Sequence, residues 1–527
     1  MSVGKHPGNM RASTSNEDMF FVEARELFEE IVDWLGSDSV FGLEHGELES
    51  KLLENGYELL RRLLQGYFDR RSDDEIEGEC SGSDEAKRTH KKRFRRKLTT
   101  IFGTVIASRI GYGGRKISSL NPLDAELNLP VEQYSHGVRQ RVAQEVARSG
   151  FGETVEIISK TTAAKVGKRQ VEELAHKSAC DFEEFYRQRE TQPQTQDRGE
   201  IVVISVDGKG VIMRTEDLRI QTKKRALTSS KKLNKRITKG EKRNSKRMAT
   251  VACVYTINPF VRTPEQIVNT EESEQKIKRP KPIGKRVWAS LVQQPQQVIS
   301  EAFDEALQRD PNQQKHFCAL VDGNKTQLSL LKKFARKHNL KLTIVLDIIH
   351  VIEYLWKAAF VFHEDTSKEA EDWVSKRLLL ILEGKSSLVA AGMRRSATKL
   401  KFNPLRRKPV DTCARYLLNN APYLKYDRYL KAGLPIATGI IEGACRHLIK
   451  DRMDITGARW SLKGAEAVLR LRSLYISGDW YEYWRFHLKQ EHKRNHLVLY
   501  KDGIPLMKRL IQAHCSISSP PPLPIPI

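Results

Sequence analysis

The apolar positions of the chain change period several times, and each change marks a different kind of element. Residues 20–35 and 47–68 repeat apolar side chains at helical spacing, whereas 70–92, rich in Ser, Asp, Glu and Gly, cannot build a core and read as a linker. Alternation of apolar and polar residues over 97–114, closed by a Gly-Gly pair, predicts a short hairpin. Helical spacing returns over 138–186 in short pieces divided by Gly and Thr-rich turns, and the polar stretch 188–200 ends it. A continuous apolar run over 201–208 then terminates in an acid and a glycine. Residues 211–219, after a Lys-Gly turn, read as its hairpin partner and 247–257 as a third strand, so that three antiparallel strands open a sheet. Helix over 298–307, strand over 316–323, amphipathic helix over 327–338 and strand over 341–350 follow. From there to 430 or so the spacing is helical, a further helix starts near Gly439, and the Pro-rich end, 520–527, predicts an extended tail.

These shifts divide the chain into a helical N-terminal region with its linker (1–92), a helical region (93–195), the first part of an α/β core (196–350) carrying a basic insertion (219–247), a helical insertion (351–432), the return of the core with C-terminal helices (433–495) and a tail (496–527). A length of 527 residues supports several domains and excludes one small core.

Charge narrows the class of partner. Lys and Arg number 90 against 66 Asp and Glu, a net +24, and an excess of this size suits a polyphosphate, because each phosphate contact releases condensed counterions. It is concentrated in 91–97 and in 219–247, where Glu241 is the only acid, although a basic run taken alone also describes a solvated face. The seven cysteines contain no Cys-x-x-Cys pair, which argues against a zinc knuckle or a disulfide framework. No apolar run approaches the roughly 20 residues that cross a bilayer, and a cytoplasmic or nucleoid location is expected.

Three acids stand where strands and a helix would present them together. Asp207 ends the apolar run 201–207, Asp322 ends the strand over 316–323, and Glu442 lies one turn into the helix that starts near Gly439. Taken singly, such residues are more often turn formers or helix-dipole partners. In this order they match the ribonuclease-H-like plan of polynucleotidyl transferases, in which carboxylates hold divalent cations against a phosphodiester. The expected fold class is therefore α/β: a ribonuclease-H-like catalytic core with a helical insertion, preceded by a mostly α-helical DNA-binding region.

The strings VDGKGVIMR, KGEKRNSKRMATVACVY, LVDGNKTQL, IVLDIIHVIEYLWKAA, GLPIATGIIEGACRHLIKDRMDITGARW and ISGDWYEYW, in this order, resemble the bacterial insertion-sequence transposases of the ISKra type. The resemblance spans roughly 90–500 and implies an Asp-Asp-Glu transposase that uses Mg2+ or Mn2+ on an element bounded by inverted repeats. Asp207, Asp322 and Glu442 then occupy the catalytic, metal-binding positions. Asp347 and His350 resemble the Asp/Cys-x-x-His signature that many such transposases carry after the second Asp, and orient the site or the flanking DNA; Asp347 as the second ligand stays open as an alternative.

DNA contacts are expected from two groups of side chains. A helix-turn-helix reading takes 153–159 as first helix, 160–162 as turn and a second helix bearing Lys165, Lys168 and Arg169 for a major groove, with an ordinary basic helical bundle as the alternative. Lys209, Arg446, His447 and Lys450 are candidate phosphate clamps, Arg446 sharing a helix face with Glu442. Trp356 and Trp460 are candidates for stacking a splayed base, although a tryptophan in an apolar helix is more often core. The expected partners are double-stranded DNA, as terminal repeats and as target, and a second copy of the chain on paired ends. A metal-dependent nuclease and a transposase-derived DNA-binding protein without catalysis remain the rival classes.

Overall fold

A computed structural model describes residues 16–75, 80–189, 199–228, 244–268, 279–455, 457–503 and 505. They fall in two compact units, one drawn from Met1–Asp181 and Trp484–Ile527 and the other being Phe182–Tyr483. The boundaries differ from those expected at 195 and 495, and the helical stretch expected as an insertion lies within the second unit. Much of the basic insertion 219–247 and most of the tail, including 506–527, lie outside the described residues.

In the first unit, a 3-10 turn leads into α1 (Val22–Leu35) and α2 (His45–Asp73). The basic run then departs from expectation. It is the body of β1 (His90–Thr100), which pairs along its whole length with β2 (Gly103–Gly114), and β3 (Ile117–Leu120) follows on the far side. The hairpin is thus longer than 97–114 and turns at Ile101 and Phe102, with Gly103 at φ +122°. An exposed, charged β1 suits the outer position in the order β1-β2-β3, where edge lysines and arginines discourage further pairing. The short α3 (Pro122–Glu126) precedes α4 (His136–Arg148), α5 (Phe151–Thr161) and α6 (Lys168–Ser178), which pack on one another. The connection between α5 and α6 is six residues, longer than the three-residue turn expected at 160–162, because Thr162, Ala164 and Val166 are buried in alternation along it.

The second unit opens with α7 (Phe182–Arg189) and β4 (Ile201–Ile212). After the short α8 (Ile220–Thr228) come β5 (Lys246–Ile257), α9 (Pro264–Val268), β6 (Ile283–Ser290), α10 (Pro295–Arg309), β7 (His316–Val321), α11 (Lys325–Lys337) and β8 (Leu342–Leu346). The five strands form one sheet in the order β6-β5-β4-β7-β8, antiparallel from β6 to β4 and parallel from β4 to β8. Residues 201–206, 249–256 and 317–321 are buried without a break, so β4, β5 and β7 are covered on both faces, which is why they read as unbroken apolar runs.

Two strand assignments differ from the sequence reading. Gly208-Lys209-Gly210 is not a turn: β4 runs through it to Ile212, and the residues beyond Met213 form a 3-10 turn, not a partner strand. At Gly210 a Cβ would lie 2.9 Å from the flexible Lys246 side chain on β5, which is exposed and can move aside. The third antiparallel strand is instead β6, whose start among Lys, Pro and Gly hid it.

On each outer strand some of the free backbone groups are answered by hydroxyls. Ser477 receives the Val287 amide (3.0 Å) and donates to the Val287 carbonyl (3.2 Å) on β6, while Tyr426 and Tyr429 donate to the carbonyls of Leu346 (2.8 Å) and Ile344 (3.2 Å) on β8. The tyrosines come from a helical run after β8: α12 (Ile348–Phe362), α13 (Lys368–Leu382), α14 (Ser386–Lys399), α15 (Pro404–Asn419) and α16 (Tyr426–Lys431). Next, α17 (Gly439–Ala444), a π-helical turn (Cys445–Lys450) and α18 (Asp451–Met453) make one continuous helical stretch, followed by α19 (Leu462–Ser477) and α20 (Trp480–Asn495).

A buried charge cluster fastens β6 to α10. Glu305 accepts from Arg286 (2.5 Å) and from Arg309 (2.7 Å), and the two guanidinium groups outweigh the cost of its burial and hold its carboxyl at about 2. A value below that of a free carboxylate means a contribution that is complete above the ordinary carboxylate range and drains away as pH falls toward 2. Glu305→Gln, which strands two buried cations, is expected to cost about 3–5 kcal/mol at pH 7. Urea denaturation should show this loss at pH 7 and a narrower gap from wild type at pH 3.

Candidate active site

Strand register sets the site. Ser205 of β4 pairs with Leu320 of β7, and Val321 of β7 with Leu346 of β8, so Asp322 and Asp347 directly follow the last parallel pair and Asp207 lies two residues past its own. Asp207 stays within β4, still paired with Val251 on its antiparallel side, while its parallel side is released. It is therefore a mid-strand residue, not a strand terminus.

Glu442 reaches the same edge through its neighbours on the helix. Three residues on, the Cys445 thiol donates to Asp207 Oδ2 (3.1 Å); burial, reinforced by Asp207, pushes this thiol far above its ordinary value, so it is a neutral donor. Asp207 Oδ1 also accepts from the Gly208 amide (2.6 Å). Four residues before Glu442, Thr438 donates its amide (3.0 Å) and hydroxyl (2.5 Å) to the fully buried Asp347 and lies 3.4 Å from Glu442 Oε1. Asp347 also caps α12 by accepting from the Ile349 amide (3.1 Å).

Asp347, His350 and Glu442 each offer a ligand atom within 4.8 Å of the others. Two carboxylates and an imidazole at this spacing suit a divalent cation, whose ligands stand about 2.0–2.6 Å from it. Asp322 is not in that group. Its Oδ1 accepts from the Asn324 amide (2.8 Å) and its carbonyl from the Tyr416 hydroxyl (3.0 Å), while Tyr416 stacks on Tyr354 at 4.1 Å. Burial, with Tyr354, Asp322 and Asp347 as further causes, drives the Tyr416 phenol well above its ordinary value, so it stays a donor. Cys180, Asp181 and His487 in the first unit make a second group of the same spacing, but Arg494 already forms a double hydrogen bond to Asp181 (2.9 and 3.3 Å).

The expected phosphate clamps surround part of the site. Lys209 and Lys450 line one groove of about 360 Å³ with Lys246. Arg446 and His447 are exposed and both approach Asp451, at 3.7 and 3.0 Å. The helix here is π-helical, so the face shared by Glu442 and Arg446 is not that of a regular α-helix; such turns recur at functional sites. Arg472 of α19 donates to the carbonyls of Leu448 (2.9 Å) and His447, groups that the wider turn loosens from the regular ladder. Lys165 lies in the loop before α6 and Lys168 and Arg169 at its first turn, all exposed, with Arg169 paired to Glu173 at 3.1 Å.

Trp460 is structural and does not serve as a stacking platform. It is buried, donates its indole N–H to the Met453 carbonyl (3.0 Å), and its backbone bonds to Ile212 at the end of β4 and to Arg214 just beyond it. Trp356 lies half-buried on α12 beside Phe360. Thr438, Cys445 and Tyr416 were not anticipated; the positions of Thr438 and Cys445, four before and three after Glu442, were the only signals available.

Thr438→Val removes the hydroxyl that reaches both Asp347 and Glu442 while keeping every candidate ligand residue of the edge in place. Loss of such a supporting hydrogen bond is expected to weaken Mn2+ binding about 10-fold or more. Calorimetric titration with Mn2+ checks this, with unchanged affinity showing that the hydroxyl does not position the ligands.

No family model and no curated protein matches the chain. Among solved structures it is similar to one described as the Drosophila P element transposase strand transfer complex, at 9% identity and a TM-score of 0.24, over 71% of this chain and 86% of that one.

Proposed function

We propose that the chain is a DNA transposase of the Asp-Asp-Glu class, which cleaves at the ends of an insertion sequence and joins them to target DNA. The observation that carries this reading is the register that sets Asp207 within β4, Asp322 just after β7 and Asp347 just after β8 at the end of the parallel ladder, with Glu442 tied to the same edge through Thr438 and Cys445. The order β6-β5-β4-β7-β8, three antiparallel strands and then two parallel ones beyond the first, supports a ribonuclease-H-like core. The sequence blocks that resemble ISKra-type transposases support the same reading.

In this proposal Asp207, Asp322 and Glu442 hold the metal, and Asp347 with His350 positions the helix bearing Glu442. Asp347 already accepts three hydrogen bonds and has no exposed surface, whereas Asp322 is half-buried with one amide on its carboxylate, which favours Asp322 as the ligand with open lone pairs. The grouping of Asp347 with His350 and Glu442 favours the second reading, in which Asp347 is the ligand. Bound Mg2+ or Mn2+ would supply Lewis acidity, activating the attacking oxygen and neutralising charge on the leaving one. Lys209, Arg446, His447 and Lys450 would bind phosphates around the scissile bond. Water would attack the phosphodiester at the element end and release a 3′-hydroxyl, which would attack a target phosphodiester and displace the target strand's own 3′-oxygen, so that no side chain becomes bonded to DNA. Lys165, Lys168 and Arg169 would grip duplex DNA, and paired ends would bring two or more copies of the chain together.

The test is incubation with Mg2+ and linear DNA carrying the ends of the element that encodes the chain. Wild type is expected to give joined products, while Asp207→Asn, Asp322→Asn and Glu442→Gln give neither cleaved nor joined DNA yet still bind duplex. Activity in Asp322→Asn with loss in Asp347→Asn would move the ligand role to Asp347. Cleavage without joining would make the protein a nuclease, and an undiminished biological effect of Asp207→Ala would make it a DNA-binding protein.

A further inference from the structure

Directly after Asp322 the chain enters a second cavity that the proposed chemistry does not use. It measures about 420 Å³, within the roughly 300–1,000 Å³ usual for small-molecule sites. One wall is α11, whose Lys325, Lys332 and Arg336 recur at seven- and four-residue steps and so share a helix face. Among the described residues none of these three cations forms an ion pair. The facing wall carries Tyr416, Asn419 and Tyr423, and Lys332 Nζ stands 5.1 Å from the centre of the Tyr423 ring.

We propose that this pocket binds one nucleotide of single-stranded DNA, its phosphate on the basic stripe of α11 and its base against Tyr423. A basic stripe and an aromatic face are the two components of single-strand recognition, since every base presents a π-face once it leaves the stack. A concave site of this volume admits a splayed nucleotide and excludes a duplex, and the Asn419 amide supplies a donor and an acceptor for a base edge. Tyr416, whose hydroxyl holds the Asp322 carbonyl, joins the pocket to the acid at the end of β7. The inference rests on the proposed function for the origin of the strand, which would be the DNA beside the cut.

Fluorescence anisotropy with a labelled six-nucleotide single strand, in EDTA, tests the pocket separately from catalysis, and repeating it in Asp207→Asn keeps the two readings distinguishable. Tyr423→Leu and Lys332→Gln, each with an unchanged melting temperature, are expected to weaken oligonucleotide binding about 10-fold while leaving duplex affinity within about twofold. A dinucleotide should compete with the label, and inorganic phosphate should not. Equal competition by phosphate, equal loss of duplex binding, or no loss in Tyr423→Leu would overturn the proposal. Oligonucleotide binding that depends on Tyr423 in a chain that joins no DNA would uphold the pocket and reject the transposase.

Discussion

Carboxylates crowd the edge where β4, β7 and β8 leave the parallel ladder, and like charges at neighbouring strand ends repel unless donors or a cation answer them. The fold answers them with short-range donors from segments far away in sequence. Thr438 gives Asp347 two hydrogen bonds across 91 residues, and Cys445 gives Asp207 one across 238. Both donors belong to the helical stretch that carries Glu442, so the contacts that relieve the repulsion also fix the third acid. Removing them would release the helix and the charge balance together.

Support for that edge comes from the buried sheet behind it. Continuous apolar runs in β4, β5 and β7 make the strands insensitive to solvent on both faces, and the Arg286–Glu305–Arg309 cluster fixes β6 to α10. The π-turn beyond Glu442 is supported by Arg472, which reaches the His447 and Leu448 carbonyls from α19. Rigid elements thus hold the acids, while the exposed cations Arg446, His447 and Lys450 project from the same helical stretch.

How much of this was legible depended on whether the signal was local. Unbroken apolar runs ending in Asp207 and Asp322 announced buried strands meeting an edge, because a strand covered on both faces needs no alternation. Gly208 and Gly210 misled, since two glycines around a lysine look like a turn, whereas β4 continues through both, paired with Thr250 and Met248 of β5. The run around Arg93 and Arg95 misled for a related reason: charge alone does not reveal that these residues alternate along β1 and pair with Ile110 and Ser108. The grouping of Asp347 and His350 with Glu442 was invisible from spacing, as it depends on a helical stretch of more than 80 residues folding back. Trp460 could be placed only once its backbone was seen beside β4.

The hydroxyls on the two outer strands have a consequence for assembly. Ser477 occupies both backbone groups of Val287, and Tyr426 and Tyr429 occupy carbonyls of β8, so an incoming extended segment would find its hydrogen-bonding partners already engaged. Copies of this chain that come together cannot merge their central sheets into a continuous one at these positions.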